Sequence, residues 1–408
     1  MGGGARPLLR LKPGAGRRLK AGHPWAYSNE IAVRPEHRNF APGLPVRLEG
    51  DDGWRFGTWM YNPHSLIAAR RLDPDPDVPI DAAWIAQRIA AAAALRQKLT
   101  GSPYHRLVHA EADGLPGLVI DRYDDVAVLQ ANTAGMDRLL PEIVAALTGA
   151  LTGALTGALT GARPWRAVVA RNDAPVRRLE GLAAEVKLLH GSDAAAVVEE
   201  GGVAFPVDPF GGQKTGWFFD QRPNRDRVAA LAAGARVLDV FCHAGAFGLR
   251  CAAAGAAHVT LLDASAPALE RARAAAERNG FAARVALRRG DAFDAMTELE
   301  TAGERFEIVV CDPPAFVKAR KDFAAGLRAY GRMARLAAPL VAPGGFLFVA
   351  SCSHNVPAAE FAAAIAQGLH RAGREARVVH SGGAGPDHPA HPHLPESAYL
   401  KVQLLHLT

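Results

Sequence analysis

From residue 199 to 408 the chain alternates short apolar runs with longer stretches of helical pattern. The short runs are VLDVF at 237–241, VTLLD at 259–263, RVALRR at 284–289, EIVVCD at 307–312 and FLFVASC at 346–352. Their length and β-branched content predict strands. Helices are predicted between them, over 245–254, 266–279, 292–302, 322–341 and 358–372. ARVVHS and YLKVQLLHL add two further strands near the end. Strands that are apolar throughout, separated by helices, predict a parallel sheet covered on both faces.

The pattern changes upstream. In residues 1–75, LPVRLEG at 44–50 and WRFGTWMY at 54–61 flank Asp51, Asp52 and Gly53, a hairpin signal in a small β-rich module. The Asp- and Pro-rich stretch at 70–82 lacks periodicity and is read as a linker. Residues 76–198 open with an Ala-rich helix from Trp84 to Leu99 and continue with strands broken by Asp-Gly, Pro-Gly and Asp-Asp turns, a small central α/β domain. The four-residue repeat at 146–162 is too short to be a solenoid unit and is read as a low-complexity insertion.

Apolar residues make up 49% of the 408 and charged residues 22%, which excludes wholesale disorder. No run approaches the roughly 20 apolar residues of a spanning helix, and the basic N-terminal stretch has no apolar block behind it, so neither a membrane protein nor a secretory signal is expected. Four cysteines in so long a chain are read as reduced thiols in a cytosol. The net charge is +6. Residues 1–38 alone hold eight basic side chains against two acids, Glu30 and Glu36, which suggests a dock for a polyanion such as RNA.

Ligands of parallel α/β sheets bind at the carboxyl ends of the strands. The first predicted strand runs into Asp239, Phe241, His243, Gly245, Ala246 and Phe247, an acid followed by a glycine-bearing turn and a helix. This is not the G-x-G-x-x-G of dinucleotide binding. It suits a cofactor with an ammonium, which Asp239 can face, and a carboxylate, which the helix N-terminus can meet. Asp263, followed by Ala264 and Ser265, ends the second strand and can accept from ribose hydroxyls. Asp291, before Ala292, follows the third and can accept from an adenine amine. Asp312 opens DPPAF after the fourth, with two prolines fixing the backbone and Phe316 available for stacking. Cys352, within ASCSH after the fifth, is the candidate nucleophile, with Asp312 as its partner acid. Cys242, Cys251 and Cys311 read as inert core residues, and no paired spacing suggests a metal site.

These residues resemble the class I methyltransferases that use S-adenosylmethionine (SAM), and more narrowly the ribosomal large subunit methyltransferase I family. LKPGAGRRLKAGHPWAYSNEI at 11–31 is similar to that family's PUA domain. FGGQKTGWFFDQRPNR at 210–225, DVFCHAGAFG, DPPAF, SCSH and DHPAHPHLPESAYLK match its pattern, while the repeat at 146–162 departs from it. The resemblance implies an N-terminal PUA domain (1–75), a central linking domain (76–198) and a Rossmann-like methyltransferase domain with a seven-stranded sheet (199–408). It implies SAM held by Asp239, Gly245, Asp263 and Asp291, with Gln221 and Arg222 closing over the site. It implies 23S ribosomal RNA as partner, with Arg17, Arg18, Lys20, His23, Lys214 and Phe316 as expected contacts, and 5-methylcytosine as product. Neither the modified nucleotide nor a homodimer can be read from the residues. Three alternatives stand beside this reading. They are methylation of a base amine, which needs no cysteine, a non-catalytic RNA-binding assembly protein, and a small-molecule methyltransferase.

Overall fold

The computed structural model describes residues 6–149, 164–213 and 215–408. Lys214 and most of the repeat therefore lie outside the described residues. By their contacts the described residues fall into two units. The first takes in Met1–Ala196, Val207–Phe219 and Pro386–Pro395, and the second Val197–Pro206, Asp220–Gly385 and Glu396–Thr408.

The first unit contains two five-stranded sheets. One is built from β1 (Leu8–Arg10), β2 (Trp25–Ala26), β3 (Leu44–Glu49), β4 (Arg55–Tyr61) and β5 (Ala69–Asp73). The expected hairpin joins β3 to β4, with Gly53 at φ +79° supplying the left-handed turn residue. The linker expected to begin at residue 70 begins later, because Arg70–Asp73 belongs to β5. Arg70 pairs with Glu111 at 3.0 Å and Glu180 at 3.3 Å, and Leu72 is buried.

The second sheet is built from β6 (Tyr104–His109), β7 (Leu118–Tyr123), β8 (Val126–Ala131), β9 (Ala167–Asn172) and β10 (Glu185–Gly191). Helix α1 (Ala82–Leu99) packs on it, its first turn capped by the Asp81 carboxylate, which accepts from the Trp84 amide at 2.9 Å. The late segment Pro386–Pro395 also belongs here. The Asp387 carboxylate accepts from the Arg106 amide at 3.0 Å, and its carbonyl accepts from Arg96 at 3.0 Å.

The second unit carries a hairpin, β11 (Ala196–Glu200) with β12 (Val203–Val207), and a seven-stranded sheet. The sheet strands are β13 (Arg236–Val240), β14 (His258–Asp263), β15 (Val285–Arg289), β16 (Phe306–Cys311), β17 (Val341–Ser351), β18 (Ala376–Gly382) and β19 (Lys401–Leu407). Their order is β15-β14-β13-β16-β17-β19-β18. Pairing is parallel from β15 to β17 and antiparallel through β19. The apolar central strands β13 and β16 are buried almost throughout, whereas edge strands β15 and β18 carry polar residues and are largely exposed. This is the doubly wound α/β architecture the apolar pattern predicts. The strand order reverses between β13 and β16, and a crevice opens at the carboxyl ends of strands at such a switch point.

Candidate active site

The chain leaves β13 through a turn that two non-glycine residues make in the left-handed region, Phe241 at φ +63° and His243 at φ +50°. Such geometry persists where surrounding bonds over-determine it. Here the Cys242 amide donates to the Leu262 carbonyl at 3.1 Å, the His243 amide to Asp263 Oδ2 at 2.9 Å, and the Gly245 amide to the Cys242 carbonyl at 2.8 Å. The turn ends at Gly245, φ +76°, the N-cap of helix α2 (Ala246–Ala253). Burial and the nearby Arg271 pull His243 down to about 4, so its imidazole is neutral at physiological pH.

Helix α2 sits so close to the sheet that a Cβ at Gly248 would lie 2.3 Å from Leu261 Cδ2 and 2.7 Å from Val259 Cγ1. The same closeness lets the Gly248 amide donate to Asp239 Oδ2 at 2.9 Å. Gly248→Ala will therefore push the helix off β14 and cost about 1–3 kcal/mol of stability, measured by chemical denaturation. A variant as stable as the parent would show that the helix has room to move.

Asp239 is 1% exposed. Burial, with Asp312 and Asp263 adding their negative charge, pushes its carboxyl up to about 8 against the Gly248 amide and the distant pull of Arg225. The clustered negative charge that raises Asp239 is chemically suited to a cation, whose arrival would favour the Asp239 carboxylate. SAM, a sulfonium carrying an ammonium, has the right charge, so the donor set fits that group.

Both Asp263 oxygens have backbone partners, Oδ2 from His243 and Oδ1 from the Ser265 amide at 2.8 Å. Ser265 in turn caps helix α3 (Ala266–Arg278). Asp291 caps helix α4 (Ala292–Thr301), its Oδ1 accepting from Phe293 and Asp294 at 2.9 and 3.2 Å. Each acid therefore fixes the backbone at its strand end.

A further charged group was not legible in the sequence. Arg225, in the helix Arg222–Ala229, is 2% exposed and grips Glu200 of β11 through two bonds of 2.5 and 2.7 Å. Burial alone would lower it, but Glu200, Asp220 and Asp312 outweigh burial and hold it charged. Of the two residues expected to close over the site, Arg222 reaches Glu200 at 3.5 Å, and buried Gln221 accepts from Asn224 at 2.7 Å.

Asp312 follows β16, whose last residue, Cys311, pairs with Val349 of β17. Cys352 follows β17 and is half-buried, whereas Cys242, Cys251 and Cys311 are buried and burial drives all three thiols up. Cys352 is flanked by Ser351 and Ser353, both hydrogen-bonded to the Tyr330 hydroxyl at 2.8 and 2.9 Å. Tyr330 lies in the helix Phe323–Ala337. His354 is exposed, with its ring stacked on Tyr399 at 5.1 Å. Phe316 is partly buried in an aromatic group with Phe241, Phe293 and Tyr330, which places it against the core.

Among the expected RNA contacts of the first unit, Arg18, Lys20 and His23 have internal partners. Arg18 bonds both Glu30 oxygens at 3.1 and 3.0 Å, and Lys20 pairs with Asp52 and lies over Trp54. His23 Nδ1 lies 3.1 Å from the Trp25 amide, while Arg17 is exposed. The N-terminal charge excess is thus partly balanced by acids that β3 and the following turn bring in, Asp52 and Glu49.

The sheet order and the acids at successive strand ends suit a SAM-dependent methyltransferase, the class that the family comparison shows. Residues 136–406 match the S-adenosylmethionine-dependent methyltransferase family, and residues 9–74 a PUA-like domain. A ribosomal RNA large subunit methyltransferase I from Shewanella denitrificans is 35% identical over 96% of this chain and 97% of its own. One from Vibrio cholerae is 34% identical over 97% and 98%. The chain belongs to the ribosomal RNA large subunit methyltransferase I family. The solved structure of SMU.776, a candidate methyltransferase in complex with SAH, shares the fold with a TM-score of 0.81 at 20% identity, covering 98% of this chain and all of its own. A candidate SAM-dependent methyltransferase from Streptococcus mutans does so at 0.79 and 20% identity, over the same shares.

Among the described residues no helix is long and apolar enough to cross a membrane, and no His, Cys, Asp and Glu cluster is gathered as a metal site.

Proposed function

We propose that this protein methylates carbon 5 of a cytosine in 23S ribosomal RNA, with Cys352 bonding transiently to carbon 6. The relatives' names support ribosomal RNA as the substrate. The observation that carries the chemistry is the contrast among the cysteines. Three are buried, while Cys352 is half-buried and follows β17, the neighbour of the strand that Asp312 follows.

The cofactor supplies an electrophilic methyl group. Asp239 would face its ammonium, Asp263 its ribose and Asp291 its adenine amine. Gln221 and Arg222 would close that side, and the domains would divide near residues 75 and 198. The Cys352 thiolate adds to carbon 6 of the flipped base, and the ring π-electrons shift toward carbon 5. Asp312 supports the protonated N3 and amino edge. Carbon 5 would take the methyl group, the former methyl–sulfur bonding pair staying on the sulfur of the departing SAH; a base would then remove the hydrogen from carbon 5, whose pair re-forms the ring double bond as the Cys352 sulfur leaves with its own bonding pair. One proton is released per turnover.

Unmodified ribosomal RNA incubated with the enzyme and SAM, then digested to nucleosides and analysed by mass spectrometry, is expected to yield 5-methylcytidine. An N-methylated adenosine or guanosine would support the base-amine reading that DPPAF also permits, and no methylated nucleoside at all would support an assembly role.

A further inference from the structure

We propose that Lys401 is a positioning residue for this reaction, its ammonium supplying the positive charge beside Cys352 that favours the thiolate. The inference rests on the reading of Cys352 as the nucleophile. Strand β19 runs antiparallel to β17 with Lys401 opposite Ser351, the residue before Cys352. The Lys401 ammonium donates to the carbonyl of Ser353, the residue after it, at 2.6 Å, and to the Tyr399 carbonyl at 2.8 Å. The cation is thus fastened to the residue after Cys352, while the Lys401 backbone pairs in register with the residue before it.

Burial lowers the ammonium's affinity for its proton, and the electrostatic pull of Cys352 works the other way. The other ionisable groups around this strand end cannot take its place. Tyr330 is pushed up by burial, with Cys352 adding to the rise, and stays neutral. Asp312, at the end of β16, has the wrong sign, and His354 is turned to Tyr399. Two carbonyls absorb two of the ammonium's three donors without cancelling its charge. A thiolate next to a lysine is stabilised relative to the thiol.

The test is the pH dependence of Cys352 alkylation by iodoacetamide in the full-length protein, read peptide by peptide so that the four thiols are resolved. Lys401→Gln keeps N–H donors for the carbonyls but loses the charge, Lys401→Met loses both, and Lys401→Arg keeps the charge. The alkylation midpoint is expected to rise by about 1–3 pH units in the Gln and Met variants and to return toward the parent value with Arg. Methyl transfer at neutral pH should fall about tenfold or more in the Gln variant, with SAH affinity unchanged. A Gln variant that binds SAH like the parent and keeps the parent midpoint would overturn the proposal. Failure of the nucleophile reading looks different. Cys352→Ser would then retain methyl transfer, whatever Lys401 does to the midpoint.

Discussion

Cys352→Ala will reduce methyl transfer to ribosomal RNA by at least about 1000-fold, because without the covalent bond carbon 5 of cytosine is too weak a nucleophile. The same variant will bind SAH with the parent's affinity. Cys352 follows β17, while the acids proposed to hold the cofactor end β13 and β14 or follow β15. Its side chain is half-buried, so truncation leaves little cavity and the melting temperature should stay within a few degrees. Single-turnover transfer of labelled methyl groups measures the first effect and titration calorimetry the second. Retained turnover would remove Cys352 from the mechanism. Lost SAH binding would recast it as a cofactor contact.

Asp239→Asn will move stability and cofactor affinity in opposite directions. In the cofactor-free fold the Asp239 carboxyl is pushed up to about 8 by burial and by Asp312 and Asp263, whereas an unfolded aspartate ionises near 4. The folded value is the raised one. Its contribution to stability is therefore complete below about pH 4 and declines until about pH 8. Asparagine removes that decline while its Oδ1 still accepts from Gly248. At pH 8 the cofactor-free variant should be more stable than the parent by about 1–3 kcal/mol, and at pH 4 it should not. Its affinity for SAH should fall about 100-fold or more, since the buried carboxylate proposed to face the ammonium is lost. In the parent, SAH binding should release a proton and weaken as pH falls below about 8. Calorimetry in buffers of different ionisation enthalpy, with melts at both pH values, reads these effects. Equal SAH affinity in variant and parent would mean that Asp239 serves the turn and not the cofactor.

The strand ends were legible because local pattern marks them. Asp263 and Cys352 each close an apolar run and Asp239 sits within one, and a short apolar run in this alternation reads as a buried strand. What depends on distant pairing was not legible. Nothing in the sequence says that β19 inserts between β17 and β18, and that insertion alone sets Lys401 beside Cys352. Arg225 looks like an ordinary helix-surface residue until Glu200, on a hairpin 25 residues earlier, is found to hold it. The charge tally over residues 1–38 overstated a basic face because it stopped short of Glu49 and Asp52, which the fold returns to Arg10 and Lys20. The tail HPAHPHLP lies in the second half of the sequence yet packs with the first unit through Asp387.

The most direct test of the central claim uses ribosomal RNA containing 5-fluorocytidine. Fluorine at carbon 5 cannot be removed as the hydrogen is, so a covalent intermediate cannot resolve. With SAM present, the account predicts a denaturant-stable protein–RNA adduct whose modified peptide contains Cys352, and none with Cys352→Ala. An enzyme that makes 5-methylcytidine on ordinary RNA but forms no adduct on the fluorinated one, or forms it through another residue, would contradict the account.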